Sequence, residues 1–279
     1  MKRLLKKTPV YPLLRTIKRQ LRKIQCVESQ PYEVQIEGIK TRFLTNDQYS
    51  YGWFYPRYSH GRLHEEIATL NFAKEAQSSR VIADIGTNLG WFTCIAANAN
   101  RDAKVYGFEL DDVNFAICSK NVNLNNLTNV HLEHSAISNI DGEIEYGKNS
   151  RGDASAIHRL GSTAPIKQKV KALRLDTYFL GKPYPTLMKI DVEGAEQLVL
   201  EGMRDILQSD RLKTIFIEVH PKWLTDLGGS VLELVKILDE SGFTICSIQH
   251  RTVAAQEARV DIKEIEAIGG GGRMLVARK

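Results

Sequence analysis

Long apolar segments, internal repeats and paired cysteines are all missing from this 279-residue sequence. No apolar run reaches the length needed to span a bilayer, and the N-terminus lacks the continuous apolar segment of a signal peptide. The four cysteines are scattered, without metal-ligand or CxxC spacing, which argues against a disulfide framework and is typical of a reducing compartment. We therefore expect a cytoplasmic protein.

Acidic residues are absent from positions 1–25, which carry nine lysines and arginines. The rest of the chain holds 29 basic and 33 acidic residues, so the net charge of +5 comes from this leader. A mildly acidic body argues against a nucleic-acid-binding surface. From Leu13 onward, apolar residues recur at helical spacing and predict a short basic amphipathic helix. This helix either makes peripheral contact with an anionic membrane or packs on the domain, and we favour packing.

Apolar strands alternate with helices through most of the chain. This alternation predicts an α/β fold with a mostly parallel seven-stranded sheet, covered on both faces. The last two strands are close together in sequence and are expected to form an antiparallel hairpin at one edge. The predicted strands are 81–85, 104–109, 130–135, 186–191, 214–219, 243–249 and 273–278. The predicted helices are 62–77, 90–99, 112–125, 194–208 and 229–240.

Two segments depart from this alternation. Residues 32–60 contain turn residues and a dense aromatic cluster, and we interpret them as a cap in which most aromatic side chains pack rather than bind substrate. Residues 141–177 contain two strand-like runs around a polar loop, which we interpret as a β insertion. We therefore expect a basic segment and cap over residues 1–60 and an α/β domain over 61–279. The aromatic residues of the cap are Tyr51, Trp53, Phe54, Tyr55 and Tyr58.

A glycine turn, residues 84–90 (DIGTNLG), joins the first core strand to its helix. Close backbone approach at such a turn, with an acid after the next strand, suits an adenosine-bearing ligand. Glu109 stands at that second position, and we favour ribose binding over a plain surface acid. An acid before the turn favours S-adenosylmethionine over a dinucleotide, because a pyrophosphate needs bare amides there. The predicted cofactor residues are Asp84, Gly86, Asn88, Gly90, Glu109, Ser135 and Ala136.

Acidic residues and a histidine also end two later strands. Asp191 is our first choice for contact with an acceptor hydroxyl, and His220 is the second, as a neutral base. Glu193 and Glu218 are expected to support them. Glu193 would equally suit a helix N-terminus, and His220 would equally suit a structural role. Together the four residues could hold a hard divalent cation, but their spacing does not require one, so we assign no metal ligand.

These motifs together resemble the FkbM family of S-adenosylmethionine-dependent methyltransferases. The resemblance covers roughly residues 80–220, and its most specific element is the block 189–196. Thr87 stands where alanine is usual, and Leu110 stands where proline commonly follows the ribose acid. The matching residues are 84–90 (DIGTNLG), Phe92, 108–109 (FE), 121–125 (NVNLN), 175–176 (LD), 189–196 (KIDVEGAE) and Glu218.

The resemblance implies a Rossmann-like class I methyltransferase fold and methyl transfer to an acceptor oxygen. Family members often methylate a hydroxyl of a sugar or a polyketide, so a glycan or small-molecule acceptor is expected. Two alternatives stay open. An RNA ribose methyltransferase would also place acids at these strand ends, although the acidic body argues against it. A cofactor-binding scaffold without turnover could keep the same fold.

Overall fold

The computed structural model describes residues 16–17, 21, 31–47, 49–148, 159–160, 166–248, 257–268 and 271–279. Most of the basic leader over residues 1–25 lies outside this range, and the predicted amphipathic helix and membrane contact therefore stay predictions. No helix in the described part of the chain is long and apolar enough to cross a membrane.

The described elements follow the predicted alternation. The strands are β1 (Tyr32–Ile36), β2 (Ile39–Phe43), β3 (Val81–Ile85), β4 (Lys104–Glu109), β5 (Val130–His134), β6 (Ala136–Ile137), β7 (Gly142–Lys148), β8 (Arg159–Leu160), β9 (Ile166–Leu173), β10 (Leu187–Ile190), β11 (Thr214–Val219), β12 (Thr244–Ile248), β13 (Ala258–Arg259) and β14 (Arg273–Arg278). The helices are α1 (Tyr55–Tyr58), α2 (Glu66–Ala76), α3 (Trp91–Ala99), α4 (Asp112–Leu124), α5 (Leu175–Tyr178), α6 (Glu196–Glu201), α7 (Arg204–Gln208), α8 (Pro221–Asp226), α9 (Val231–Glu240) and α10 (Ile262–Glu266).

The central sheet has the strand order β13, β12, β14, β11, β10, β3, β4, β5. The pairs among β11, β10, β3, β4 and β5 are all parallel, whereas β14 is antiparallel to both of its neighbours. This confirms the α/β prediction and its seven core strands. The antiparallel hairpin also forms, and β14 inserts between β11 and β12. The two-residue strand β13 extends the outer edge by one strand.

The strand order reverses between β3 and β10. From β3 the chain continues to β4 and β5 on one side, whereas β10 leads to β11 on the other. In an open α/β sheet, the crevice at such a point, beyond the carboxyl ends of the strands, is where ligands bind. The two strands run parallel and in register, with Asp84 beside Lys189. The glycine turn and the acidic strand ends therefore share one edge of the sheet.

The sheet is buried on both faces. Every residue of β3, β10 and β11 is buried, which explains why these strands have nearly continuous apolar sequences. On one face, Phe216 of β11 packs edge-on against Phe72 of α2, with ring centroids 5.6 Å apart. On the other face, Ile215 belongs to a core shared with Val199 of α6 and Leu234 of α9.

The cap packs directly on the core. β1 and β2 form an antiparallel pair, followed by a turn of π-helix over Ser50–Phe54 and by α1. Phe54 and Tyr58 are buried against Trp91 at the start of α3, with ring centroids 5.6 and 4.1 Å apart. These two aromatic side chains thus pack, as expected for most of the cluster. The division of the chain at residue 60 stays a prediction.

Residues of the predicted insertion belong to a second, four-stranded sheet with the order β6, β9, β7, β8. β7 and β9 pair antiparallel over seven residues, from Gly142 opposite Ala172 to Lys148 opposite Ile166. The polar loop between them lies mostly outside the described residues. Because β6 follows β5 directly, this sheet begins beside the carboxyl end of β5, next to the predicted cofactor residues Ser135 and Ala136.

Candidate active site

The two glycines of the turn are required by packing within the protein. Gly86 has φ +84°, and a Cβ atom there would lie 1.9 Å from the backbone carbonyl oxygen of Asp191. Gly90 has φ +90°, and a Cβ atom there would lie 2.8 Å from the Cys118 sulfur. Glycine therefore lets the end of β3 touch the end of β10, and lets α3 begin close to α4.

Asp84 is buried beneath the turn. Its Oδ2 atom accepts a 2.6 Å hydrogen bond from the hydroxyl of Thr93, in the first turn of α3. Burial raises the pKa of Asp84 to about 6, although the Thr93 hydrogen bond and the nearby charge of Lys189 oppose the shift. The hydrogen bond ties α3 to the strand and fixes the helix start against the turn.

Glu109 is held at the end of β4 by backbone amides from both sides. Its Oε2 atom accepts from the amide of Asn88 at 2.7 Å, and its Oε1 atom accepts from the amide of Asp111 at 2.9 Å. Burial raises the pKa of Glu109 to about 7 in spite of these two hydrogen bonds. The predicted ribose acid and the glycine turn are thus joined directly.

Tyr49 connects the cap to the same turn. Its hydroxyl donates a 2.7 Å hydrogen bond to the Oδ1 atom of Asn88, which has a left-handed backbone with φ +53°. Few residues other than glycine adopt this conformation readily, and asparagine is one of them. Sequence reasoning gave Tyr49 no role, because nothing in the spacing of 39 residues indicates that the two side chains meet.

Ser135 lies beside Glu109, just after the end of β5. The amide of Ser135 donates to the backbone carbonyl of Glu109 at 3.0 Å. The hydroxyl oxygen of Ser135 is buried and has no hydrogen-bond partner among the described residues. Since buried hydroxyls are normally paired, this atom is available to a ligand at the cofactor side of the crevice.

Asp191 and Lys189 form an ion pair at the end of β10. The Lys189 ammonium is almost fully buried and lies 3.3 Å from Oδ2 of Asp191, whose side chain remains 28% exposed. Burial lowers the pKa of Lys189, but the charges of Asp191 and other carboxylates outweigh this effect and raise it. Lys189 is therefore a cation paired with Asp191, whose partly exposed carboxylate ligands in the crevice can reach.

His220 lies among three carboxylates. Its Nδ1 atom is 2.9 Å from Glu196 Oε1, and its Nε2 atom is 3.2 Å from Glu193 Oε2 and 3.6 Å from Glu218 Oε1. Burial lowers the pKa of His220, but the hydrogen bond to Glu196 and the neighbouring carboxylates raise it by more. The imidazole is thus held in its charged form, which differs from the neutral base expected from the sequence.

Glu196 is a site residue to which sequence reasoning assigned no role. It is fully buried, and its Oε1 atom accepts from the amide of Gly194 at 2.9 Å besides contacting His220. Glu218 packs against Gly272, which follows the last helix. A Cβ atom at position 272 would lie 2.1 Å from Oε1 of Glu218, so only glycine leaves room for this carboxylate. Local spacing hints at Glu196, three residues after Glu193, but its contact with the next strand depends on the fold.

Comparisons with known proteins agree with the motifs. Residues 84–245, more than half of the chain, match the Methyltransferase FkbM domain family. The chain is similar to hexuronic acid methyltransferase AglP of Haloferax volcanii, with 28% identity over 62% of this chain and 72% of that protein. Methyltransferase 1 of Beauveria bassiana is 23% identical over 59% of this chain and 72% of its own length. A solved rRNA methylase from Streptococcus thermophilus has 16% identity and a TM-score of 0.47, covering 79% of this chain and 99% of that one.

Proposed function

The chain belongs to the FkbM family of S-adenosylmethionine-dependent methyltransferases, and we propose that it methylates a hydroxyl group of a sugar, a glycan or a similar small molecule. The observation that carries this proposal is the contact between the two halves of the site. Gly86 of the cofactor turn touches the backbone of Asp191, and the Asp191 amide donates to the Ile85 carbonyl at 2.9 Å. A methyl donor over the turn and a hydroxyl at Asp191 would thus be neighbours.

The residues of the cofactor side fit S-adenosylmethionine. The Glu109 carboxylate would accept hydrogen bonds from the two ribose hydroxyls, and the unpartnered hydroxyl of Ser135 offers a further polar contact. Asn88 and the backbone of residues 86–90 and 135–136 would line the rest of the pocket, and Asp84 would support the turn from below. When bound, S-adenosylmethionine supplies an activated methyl group, whose carbon bonds to the acceptor oxygen as its bond to sulfur breaks.

On the acceptor side, Asp191 is the residue best placed to hold a hydroxyl. It is partly exposed and paired with the Lys189 ammonium, so its carboxylate can accept a hydrogen bond and then the proton of the hydroxyl. Holding the reacting atoms about 3–3.5 Å apart contributes roughly 7–11 kcal/mol to the lowering of a barrier. The carboxylates around His220 favour its charged form, and we assign it, with Glu193 and Glu218, to shaping the acceptor side.

The sugar acceptor is supported by the relative that acts on a hexuronic acid. The net charge of the chain after residue 25 also favours a sugar over RNA, since an excess of acidic residues weakens binding of a polyanion. The aromatic cap and the β insertion flank the crevice, and we propose that they select the acceptor. We retain the proposal that the basic leader, residues 1–25, packs on the domain, with peripheral membrane contact as the alternative.

The test is methyl transfer from labelled S-adenosylmethionine to cell-surface glycans, lipid-linked saccharides and RNA. We expect label in a saccharide fraction, and we expect Asp191→Asn to lower turnover by about 10²–10⁴-fold while the cofactor still binds. Asp239→Asn, an exposed acid at the end of α9, is the matched control and should retain full turnover. Label found only in RNA, or cofactor binding without transfer to any acceptor, would refute the proposal.

A further inference from the structure

Three ligand atoms of the kind that bind metal ions converge at the ends of β10 and β11. Asp191, Glu193 and His220 each offer one such atom, and these atoms all lie within 4.8 Å of one another. The set comprises two carboxylates and one imidazole. Carboxylates suit hard cations such as Mn²⁺, and an imidazole nitrogen adds affinity for first-row transition metals over Mg²⁺ or Ca²⁺.

The orientation of the imidazole supports this interpretation. Glu196 contacts Nδ1 of His220 at 2.9 Å and is itself fixed by the Gly194 amide, so Nε2 is directed to the side where Glu193 and Glu218 lie. A carboxylate behind the second nitrogen is the usual partner of a metal-binding histidine, because it fixes the ring and makes it a better ligand. Glu196 is completely buried and has no access to ligands of its own.

Glu193 provides a second, separate observation. Its Oε2 atom is buried and makes no hydrogen bond within the described residues, although it lies 3.2 Å from His220 Nε2. Its backbone is left-handed, with φ +53°, a conformation that residues other than glycine adopt uncommonly. A cation between Nε2 and the carboxylates would satisfy this oxygen.

The local charge also favours a cationic ligand. Among the described side chains at these strand ends, the four acids Asp191, Glu193, Glu196 and Glu218 outnumber the two basic residues Lys189 and His220. Carboxylates gathered in a poorly solvated place repel one another, and a divalent ion removes that repulsion. The site already described uses only Asp191 of these acids directly.

We propose that Asp191, Glu193 and His220 bind a divalent first-row transition metal ion, which replaces the proton on Nε2 of His220, and that Glu196 orients His220 for this purpose. Three protein ligands leave open coordination positions, which substrate oxygen atoms can fill. This use of the metal rests on the proposed function, and it narrows the acceptor to one with two adjacent oxygen atoms, such as a sugar diol or a hydroxy acid. Metal binding itself does not depend on the acceptor.

The experiment is a titration of the full chain with Mn²⁺, in which electron paramagnetic resonance measures the free ion. We expect one saturable site per chain, lost in Glu193→Gln and in His220→Asn. Glu196→Gln should weaken binding by about 10–100-fold, as expected for a partner of a metal-binding histidine. Glu233→Gln, an exposed acid near the start of α9, should leave it unchanged. Thermal melts of each variant verify folding.

The wild-type titration alone can overturn the inference, whatever the variants do. Absence of a saturable Mn²⁺ site by paramagnetic resonance and of a Zn²⁺ site by isothermal titration would overturn it, and so would a site that survives both ligand substitutions. S-adenosylmethionine binding is measured on the same samples. A chain that binds and uses the cofactor without binding metal contradicts only this inference, whereas a chain that binds metal but methylates no saccharide contradicts only the proposed function.

Discussion

The position of Glu109 predicts that cofactor binding weakens as the pH falls below neutrality. Its two oxygens already accept hydrogen bonds from the amides of Asn88 and Asp111, and burial raises its pKa to about 7. The ribose hydroxyls would add two more donors, which bind the ionised carboxylate better than the protonated one. Binding therefore lowers the pKa of Glu109, and the affinity for the cofactor reaches its full value only above about pH 7.

The size of the change in Kd follows from the protonation of one group, the Glu109 carboxylate, in the free protein. Below the pKa, the ionised fraction falls tenfold per pH unit, so the Kd should be about tenfold higher at about pH 6 than at about pH 8, or about 1.4 kcal/mol. The fold itself does not cause this loss. Because the pKa of Glu109 is raised in the folded chain, its contribution to stability is fully present below its unfolded pKa and is lost as the pH rises through about 7.

Isothermal titration with S-adenosylmethionine across this pH range is the assay. Glu109→Gln should weaken binding above neutrality and remove the step near pH 7, leaving only the step that Asp84 contributes near its pKa of about 6. Asp102→Asn, an exposed acid in the loop before β4, should keep the wild-type profile. A Kd that does not change with pH, or a Glu109→Gln profile identical to that of the wild type, would refute the assignment of Glu109 to the ribose.

Two further substitutions test the turn. Gly86→Ala places a Cβ atom 1.9 Å from a backbone oxygen, whereas Gly181→Ala, also at positive φ, meets nothing within 4 Å. Both substitutions should lower the free energy of unfolding in urea by about 1–3 kcal/mol, because alanine strains a backbone with positive φ. Gly86→Ala should lower it by clearly more, because its Cβ atom also collides with the backbone, and equal losses would contradict the packing argument. Tyr49→Phe removes one hydrogen bond to the turn, of about 0.5–1.5 kcal/mol, and should raise the cofactor Kd about two- to tenfold. Tyr178→Phe, which removes a 3.1 Å hydrogen bond elsewhere, should leave the Kd unchanged.

The strands could be predicted because the sheet is covered on both faces, so each buried strand appears as a short apolar run. The bounds of the helices are harder to predict, because tertiary contacts can interrupt a helix. The predicted helix over 194–208 is divided into α6 and α7, and the chain between them passes Gly202, where a Cβ atom would lie 2.0 Å from the carbonyl oxygen of Ser138. This close approach joins residues 64 positions apart. No local pattern contains that information.

The sequence could predict that the strand-end residues lie close together, but not which buried partners they contact or how those partners set their charge. Parallel strands bring their carboxyl ends to one edge, so polar residues that follow β3, β4, β10 and β11 must be neighbours, whatever the helices do. The charge of His220, in contrast, is not fixed by the order of the strands. It depends on three carboxylates from two chain segments, at 2.9, 3.2 and 3.6 Å, and one of them, Glu196, had no assigned role. A histidine at a strand end suggests a base, but the same histidine enclosed by acids is a cation or a metal ligand, and only the packed structure distinguishes these from a neutral base.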